Sequence, residues 1–277
     1  MLKINFFIFL LFGFLSSAQT QRFVYELQFK LDSTSANYEK INMVLDINPE
    51  EVKFYEYDLL RMDSINKAND NFGYQTWGFQ NIVTRERNTF KNRNYEMLEE
   101  VFAYKSDDPM KWKLTNETKT IDKYQLQKAT TNFGGRFWTA WFCKDIPYNE
   151  GPYKFRGLPG LIFEIQDSKG QYIYSMVESK TFAETFDTKG FIENYGGEKP
   201  LEVNFKTFQK KKLEDYNDPF KEFRLEFDDN PNSSYSYNNI KITSKDQLKS
   251  LEKQDQENVR RENNPIEIDK VIHYPVK

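Results

Sequence analysis

The chain has 277 residues, 38% of them hydrophobic, 29% charged and 17% aromatic. Its 39 Lys and Arg stand against 42 Asp and Glu, a formal charge of -3, which supplies no reason to bind nucleic acid, where affinity rests on clustered cations neutralising phosphates. One Cys and one His exclude an internal disulfide and any zinc site built from two thiolates of one chain.

The 25 Phe, 17 Tyr and 4 Trp supply the packing that a disulfide-free chain needs, and aromatic side chains suit pleated, half-buried surfaces. At the start, Lys3 precedes the apolar run Phe6 to Leu15, which ends in Ser16, Ser17 and Ala18. A charge, a short apolar stretch and small residues form the pattern of a secretory leader. A membrane-spanning helix needs roughly 20 apolar residues, and Gln19 to Arg22 interrupt this one too soon. The expectation is export to the periplasm or cell envelope, removal of residues 1–18, and one β-rich domain over 19–277 with no transmembrane anchor.

Phe23, Tyr25, Leu27, Phe29 and Leu31 alternate with polar neighbours, the period of a half-buried strand. Ile41, Met43, Leu45 and Ile47 repeat it, and an apolar run opens at Val52 and Phe54, so an antiparallel meander follows. Residues 58–73 read as polar and irregular. Further strands are expected over 80–86, 96–104, 111–114, 125–130 and 136–142. Leu161–Gln166 and Tyr172–Val177 flank Asp167-Ser168-Lys169-Gly170-Gln171, which is hairpin-turn chemistry. The segment 204–212 fits strand or helix equally. Ser244 with Gln247 three residues on marks the start of a polar helix running to Arg261. The fold class expected is mainly β with a few helices (α+β), its antiparallel sheet curved and, in one form, an open barrel.

In the strand 136–142, Phe137, Thr139 and Trp141 fall on one face and Trp138, Ala140 and Phe142 on the other, so burial of both faces is expected. After it come Asp145-Ile146-Pro147, then Gly151-Pro152-Tyr153-Lys154-Phe155-Arg156 and Gly157-Leu158-Pro159-Gly160-Leu161-Ile162. This block resembles the GLPGLI family of exported Bacteroidetes proteins, whose name Gly157 to Ile162 spell in full. Asn263-Asn264-Pro265-Ile266-Glu267 is similar to a shorter block near that family's end. The resemblance implies compartment and class but no reaction, because the family has no assigned activity or catalytic residues.

Read from the residues, Leu158-Pro159-Gly160-Leu161 fits a type II turn, with Pro fixing one φ and Gly allowing the positive one. Gly151, Pro152, Gly157, Leu158, Pro159, Gly160 and Leu161 form a structural motif in that view. The functional alternative is a recognition patch displayed by the turn, Arg136, Trp138, Trp141, Tyr153, Lys154, Phe155 and Arg156, residue types that often supply binding energy.

Cys143 and His273 lack any local nucleophile signature, and Asp145, Glu150, Glu164 and Asp167 are only a loose set of acids for sugar hydrolysis. No serine-hydrolase, zinc-protease or nucleotide-binding fingerprint occurs in the sequence. No catalytic, metal or cofactor residue is therefore named. The function expected is non-enzymatic binding of a small apolar or lipid ligand on a curved sheet; an envelope-protein interaction module using the turn comes second, a hydrolase of unfamiliar type third.

Overall fold

The computed structural model describes residues 19–69, 81–98, 100–194, 197–230, 233–237 and 240–276. The expected leader, residues 1–18, lies outside them. The first strands are β1 (Thr20–Phe29), β2 (Glu39–Ile47) and β3 (Glu51–Glu56), followed by helix α1 (Tyr57–Asn69) and then β4 (Ile82–Glu86), β5 (Lys91–Met97) and β6 (Val101–Asp107). A second run comprises β7 (Lys113–Ile121), β8 (Tyr124–Phe133), β9 (Arg136–Cys143), β10 (Leu161–Asp167) and β11 (Tyr172–Phe182). The chain ends with β12 (Leu201–Glu202), α2 (Phe205–Asn217), α3 (Lys221–Asp229), the short pair β13 (Tyr235–Tyr237) and β14 (Ile240–Ile242), α4 (Lys245–Arg261) and a 3-10 turn at Ile268–Lys270.

Twelve strands form one sheet in the order β12-β6-β5-β4-β3-β2-β1-β11-β10-β9-β8-β7, and the sheet does not close. Two meanders therefore meet where β1 pairs with β11, Leu27 opposite Tyr174 and Phe29 opposite Tyr172. Every pairing is antiparallel except the two-residue contact of β12 with β6. The mainly β class and its antiparallel sheet are as expected.

Side-chain alternation sorts the core into two layers. Phe23, Tyr25, Leu27 and Phe29 of β1 join Met43, Leu45, Phe54, Trp138, Phe142 and Ile165 on one face. Val44 and Tyr55 join the other layer, under Leu59 and Leu60 of α1 and Phe191 with Ile192. Helix α1 occupies part of the stretch expected to be irregular. Its apolar residues are few, and only Leu59 and Leu60 are buried, so the periodic signal that reveals a helix is faint.

Three other expectations shift. The strand placed over 96–104 is a hairpin, β5 and β6, turning at Leu98, whose N–H donates to Glu100 O at 3.0 Å. The ambiguous 204–212 segment begins α2, capped by the Asn204 carboxamide accepting from Thr207 N at 2.8 Å. On β9 only one face is buried: Trp138, Ala140 and Phe142 point inward while Phe137 is 45% exposed and Thr139 and Trp141 are half-buried. No α1 or α2 equivalent covers that outer face; instead the Lys119 ammonium sits 4.7 Å from the Trp141 ring and pairs with Glu164.

The helix expected over 245–261 is α4, and its Leu248 and Leu251 are buried with Phe220, Phe227 and Ile242 in a small separate cluster. Its capping box is shifted by one residue: Gln247 accepts from Thr243 N at 2.6 Å, and Ser244 makes no side-chain cap bond. Among the described residues, no helix is long and apolar enough to cross a membrane.

Candidate functional site

The loop between β9 and β10 folds inward across the sheet face that carries Tyr25 and Phe54. Tyr153, Phe155 and Leu158 are fully part of the core, with Phe155 4.6 Å from Trp138 and Tyr153 6.4 Å from Phe54 between ring centres. The expected type II turn is replaced by a tighter one. Gly160 N donates to Leu158 O at 2.8 Å, closing a three-residue turn on Pro159, and Leu161 N turns instead to Ile146 O at 3.1 Å. Gly160, at φ +152, is required by proximity: a Cβ there would lie 2.0 Å from Cys143 O. The motif thus presses the loop onto the end of β9.

Two buried ionic clusters hold this loop, a third holds the start of β9, and each reaches a distant segment. Glu150 takes Arg85 on one oxygen and Arg156 on the other, the latter at 3.2 Å. Arg85 also donates to Tyr153 O at 2.9 Å and Arg156 to Thr89 O at 2.7 Å. Lys154 Nζ lies 2.6 Å from Glu267 Oε1 and 3.3 Å from Asp108 Oδ2, and Lys270 bridges the same two carboxylates to close a ring of alternating charge. Burial opposes charge on Glu267 and on Asp108, but Lys154 and Lys270 outweigh it and hold both carboxyls below the usual carboxylate range. Tyr153 donates to Glu267 at 2.6 Å, and burial, then the Glu267 charge, push its hydroxyl well above the ordinary tyrosine value.

Arg136 anchors the third cluster. It donates to Ile266 O, Pro265 O, Asn264 Oδ1, Gln171 Oε1 and Asp167 Oδ2 at 2.7–3.2 Å. The two blocks that carry the family resemblance, 151–162 and 263–267, are therefore joined to each other in space through Lys154–Glu267, and the second is held to β9 by Arg136.

The residues expected to be displayed as a recognition patch are mostly interior. Trp138 and Phe155 are 0% exposed, Lys154 1%, Arg156 2%, Tyr153 4% and Arg136 5%. Only Trp141 is part-exposed, on the outer sheet face. Their charges are consumed by Glu150, Glu267, Asp108 and Asp167, partners that lie far away in sequence or are themselves buried. The same holds for the loose acid set: Glu150, Glu164 and Asp167 each pair with a cation, and Asp145 is exposed. Cys143 lies in the core while His273 is exposed on the C-terminal segment. No group of three or more His, Cys, Asp or Glu among the described residues is arranged to hold a metal.

Open space adjoins the Lys154–Glu267 ring, in a cleft of about 470 Å³ between β5, β6, α2, α4 and the C-terminal segment that Tyr153, Glu267 and Lys270 also line. Tyr104, Phe205, Phe208, Tyr216 and Tyr274 are among its aromatic walls, with Tyr153 and Tyr172, and half-buried Lys212 and Lys270 are its lysines. Tyr104 stacks on Phe208 at 5.3 Å, and Tyr274 lies 4.6 Å from Tyr216. Glu96 accepts from the Tyr104 hydroxyl at 2.8 Å and pairs with Lys212 at 3.1 Å. Burial raises the Tyr104 hydroxyl strongly, with Glu96 adding to it. Burial works against the Lys212 ammonium, yet Glu96 outweighs it and keeps the side chain protonated. The volume falls within the range of small-molecule sites.

Of the cleft lining, Tyr153 was named from the sequence as part of the candidate patch and Asn263 to Glu267 as a resembling block, whereas Lys212 and the aromatic residues of α2 were not. The signal was present in α2, where Phe205, Phe208, Lys212 and Tyr216 recur on one helical face, but it is readable only once 204–217 is known to be helical. The walls from β6 and from Lys270 to Tyr274 carry no local mark at all.

The family model described as "Protein of unknown function (Porph_ging)" matches residues 136–164, the stretch from β9 through the loop into β10. No curated protein matches the chain. Among solved structures, PNGF-II in two crystal forms is similar, with a TM-score of 0.51 in each case and 16% and 15% identity. These matches cover 70% of this chain and 32% and 33% of PNGF-II, so the chain spans about a third of that protein's length. At such identity the likeness concerns the fold alone.

Proposed function

We propose that the protein is an exported, non-enzymatic binding protein of the cell envelope that holds a small apolar or amphipathic ligand in the cleft beside α2. The observation that carries this reading is the cleft itself, about 470 Å³ with seven aromatic residues in its walls and two lysines paired with carboxylates. Such a lining offers apolar contact area and a few fixed polar groups, the composition of binding sites rather than of a nucleophile or paired-acid centre. The sheet face first expected to hold the ligand is filled by Tyr153, Phe155, Leu158 and Ile266, which moves the ligand to the cleft. The leader pattern over 1–18 supports export.

Native mass spectrometry of protein purified gently from its own cells tests the reading. A reproducible added mass that denaturation removes, and that a Phe208→Ala variant fails to carry, is expected; the bare polypeptide mass in every preparation would refute it. The N-terminal residue of the same sample checks removal of 1–18.

A further inference from the structure

The cleft borders α2 from Phe205 to Tyr216. A second cavity of about 310 Å³ lies beside another face of that helix, lined by Leu98, Phe102, Leu201, Lys211, Glu214 and Lys221 among others. Leu98 and Asp215 are walls of both cavities. The two spaces therefore adjoin and follow α2, whose 13 residues span about 20 Å.

Charge selects among elongated occupants. In the first cavity Lys212 is paired with Glu96 and Lys270 with Glu267 and Asp108. In the second, Lys211 pairs with Glu214 at 3.1 Å, and Asp218 pairs with Arg224. Carboxylates outnumber lysines in the lining of each cavity. A carboxylate or phosphate head would meet a surplus of like charge and, in the first cavity, lysines already paired, which costs binding energy on both counts. An uncharged hydroxyl-bearing head meets donors and acceptors of both kinds at no such cost.

Resting on the proposed cleft reading, we infer that the two cavities form one groove along α2 that takes a single-chain amphiphile with a neutral polar head. The head lies by Glu96 and Lys212 in the first cavity, and the apolar chain runs from the Phe205 and Phe208 rings past Leu98 toward Phe102 and Leu201 in the second. Leu98 is the junction, so its size sets the length of chain admitted.

Calorimetric titration of the full mature chain with hexyl, octyl, decyl and dodecyl glucoside, kept below their micelle concentrations, tests this. Affinity is expected to rise about three- to fourfold per methylene through dodecyl, the increment of methylene burial. Leu98→Trp is expected to halt the rise at octyl, so that decyl and dodecyl glucoside bind the variant no more tightly than octyl glucoside does. Leu201→Ser, a change at an exposed position in the second cavity, is expected to weaken only the longest members. A wild-type rise that stops at octyl overturns the joined groove but leaves the cleft as a binding site. Tighter binding of dodecanoate or dodecyl phosphate than of dodecyl glucoside overturns the neutral head. Failure of every member to bind overturns the groove, and an added native mass on the cellular protein would then still sustain the cleft.

Discussion

Lys154 Nζ donates to Glu267 Oε1 at 2.6 Å across 113 residues of chain, and both side chains are almost wholly buried. This contact locks the loop after β9 to the segment after α4, and the ring completed by Asp108 and Lys270 ties both to the end of β6. A charge in that ring is stable only while its partners remain.

Removing one member is therefore more damaging than removing a pair. Lys154→Met is expected to lower unfolding free energy by about 3–5 kcal/mol, because it leaves buried carboxylates uncompensated. Lys154→Met combined with Glu267→Leu is expected to recover part of that loss. Urea unfolding of the two variants beside wild type decides it, and equal stability of single and double variants would contradict the ring's coupling.

The same ring gives an acid dependence of definite sign. The Glu267 and Asp108 carboxyls are held below their ordinary values, so in the folded state they bind protons less readily than in the unfolded chain. Their stabilisation is fully present above the unfolded carboxylate values, about pH 4, and is lost as pH falls through the lower folded values. Thermal melts from pH 7 to pH 3 are expected to show a steeper acid loss for wild type than for Glu267→Gln, which is less stable at neutral pH but has one fewer such group.

Gly160 separates close approach from backbone preference. Gly160→Ala would place a Cβ 2.0 Å from Cys143 O, a backbone atom that cannot rotate away. Gly170, at φ +61 in the hairpin after β10, has only the Tyr38 hydroxyl at 3.4 Å. Gly170→Ala is expected to cost about 1–2 kcal/mol, the ordinary left-handed penalty, and Gly160→Ala clearly more, with failure to accumulate as folded protein in the extreme. Denaturant midpoints of the two variants compare them directly.

Arg136 makes contacts that a point charge cannot reproduce. Its planar fork serves two backbone carbonyls and three side chains at once, whereas lysine offers one compact ammonium. Arg136→Lys is expected to lose most of the stability that Arg136→Ala loses, about 3 kcal/mol or more. Melting temperatures within a degree of wild type for the lysine variant would show that charge alone suffices.

Cys143 is a thiol fully enclosed by the core. It is expected to resist a thiol-specific reagent in the native protein and to react at the rate of global opening, so labelling should quicken in parallel with the losses measured for Lys154→Met. Rapid labelling of native wild type would contradict the packing around β9 and β10.

Local chemistry was enough to read β1, β2, the β10–β11 hairpin and α4, because alternation, turn residues and helix caps act over a few positions. It also marked Gly160 as a place where only glycine serves, although the turn type and the clash with Cys143 O depend on how the loop lies against β9. What local chemistry left open was direction. Tyr153, Lys154, Phe155 and Arg156 have the composition of a displayed binding patch, and they face inward because Glu150, Asp108 and Glu267 neutralise Lys154 and Arg156 there while Arg85 donates to the Tyr153 carbonyl. Those partners arrive from β4, the chain after β6 and the segment after α4. A buried charge is defined by its counter-charge, and a cleft by walls from separate elements, so both exist only once the tertiary fold has brought distant residues together.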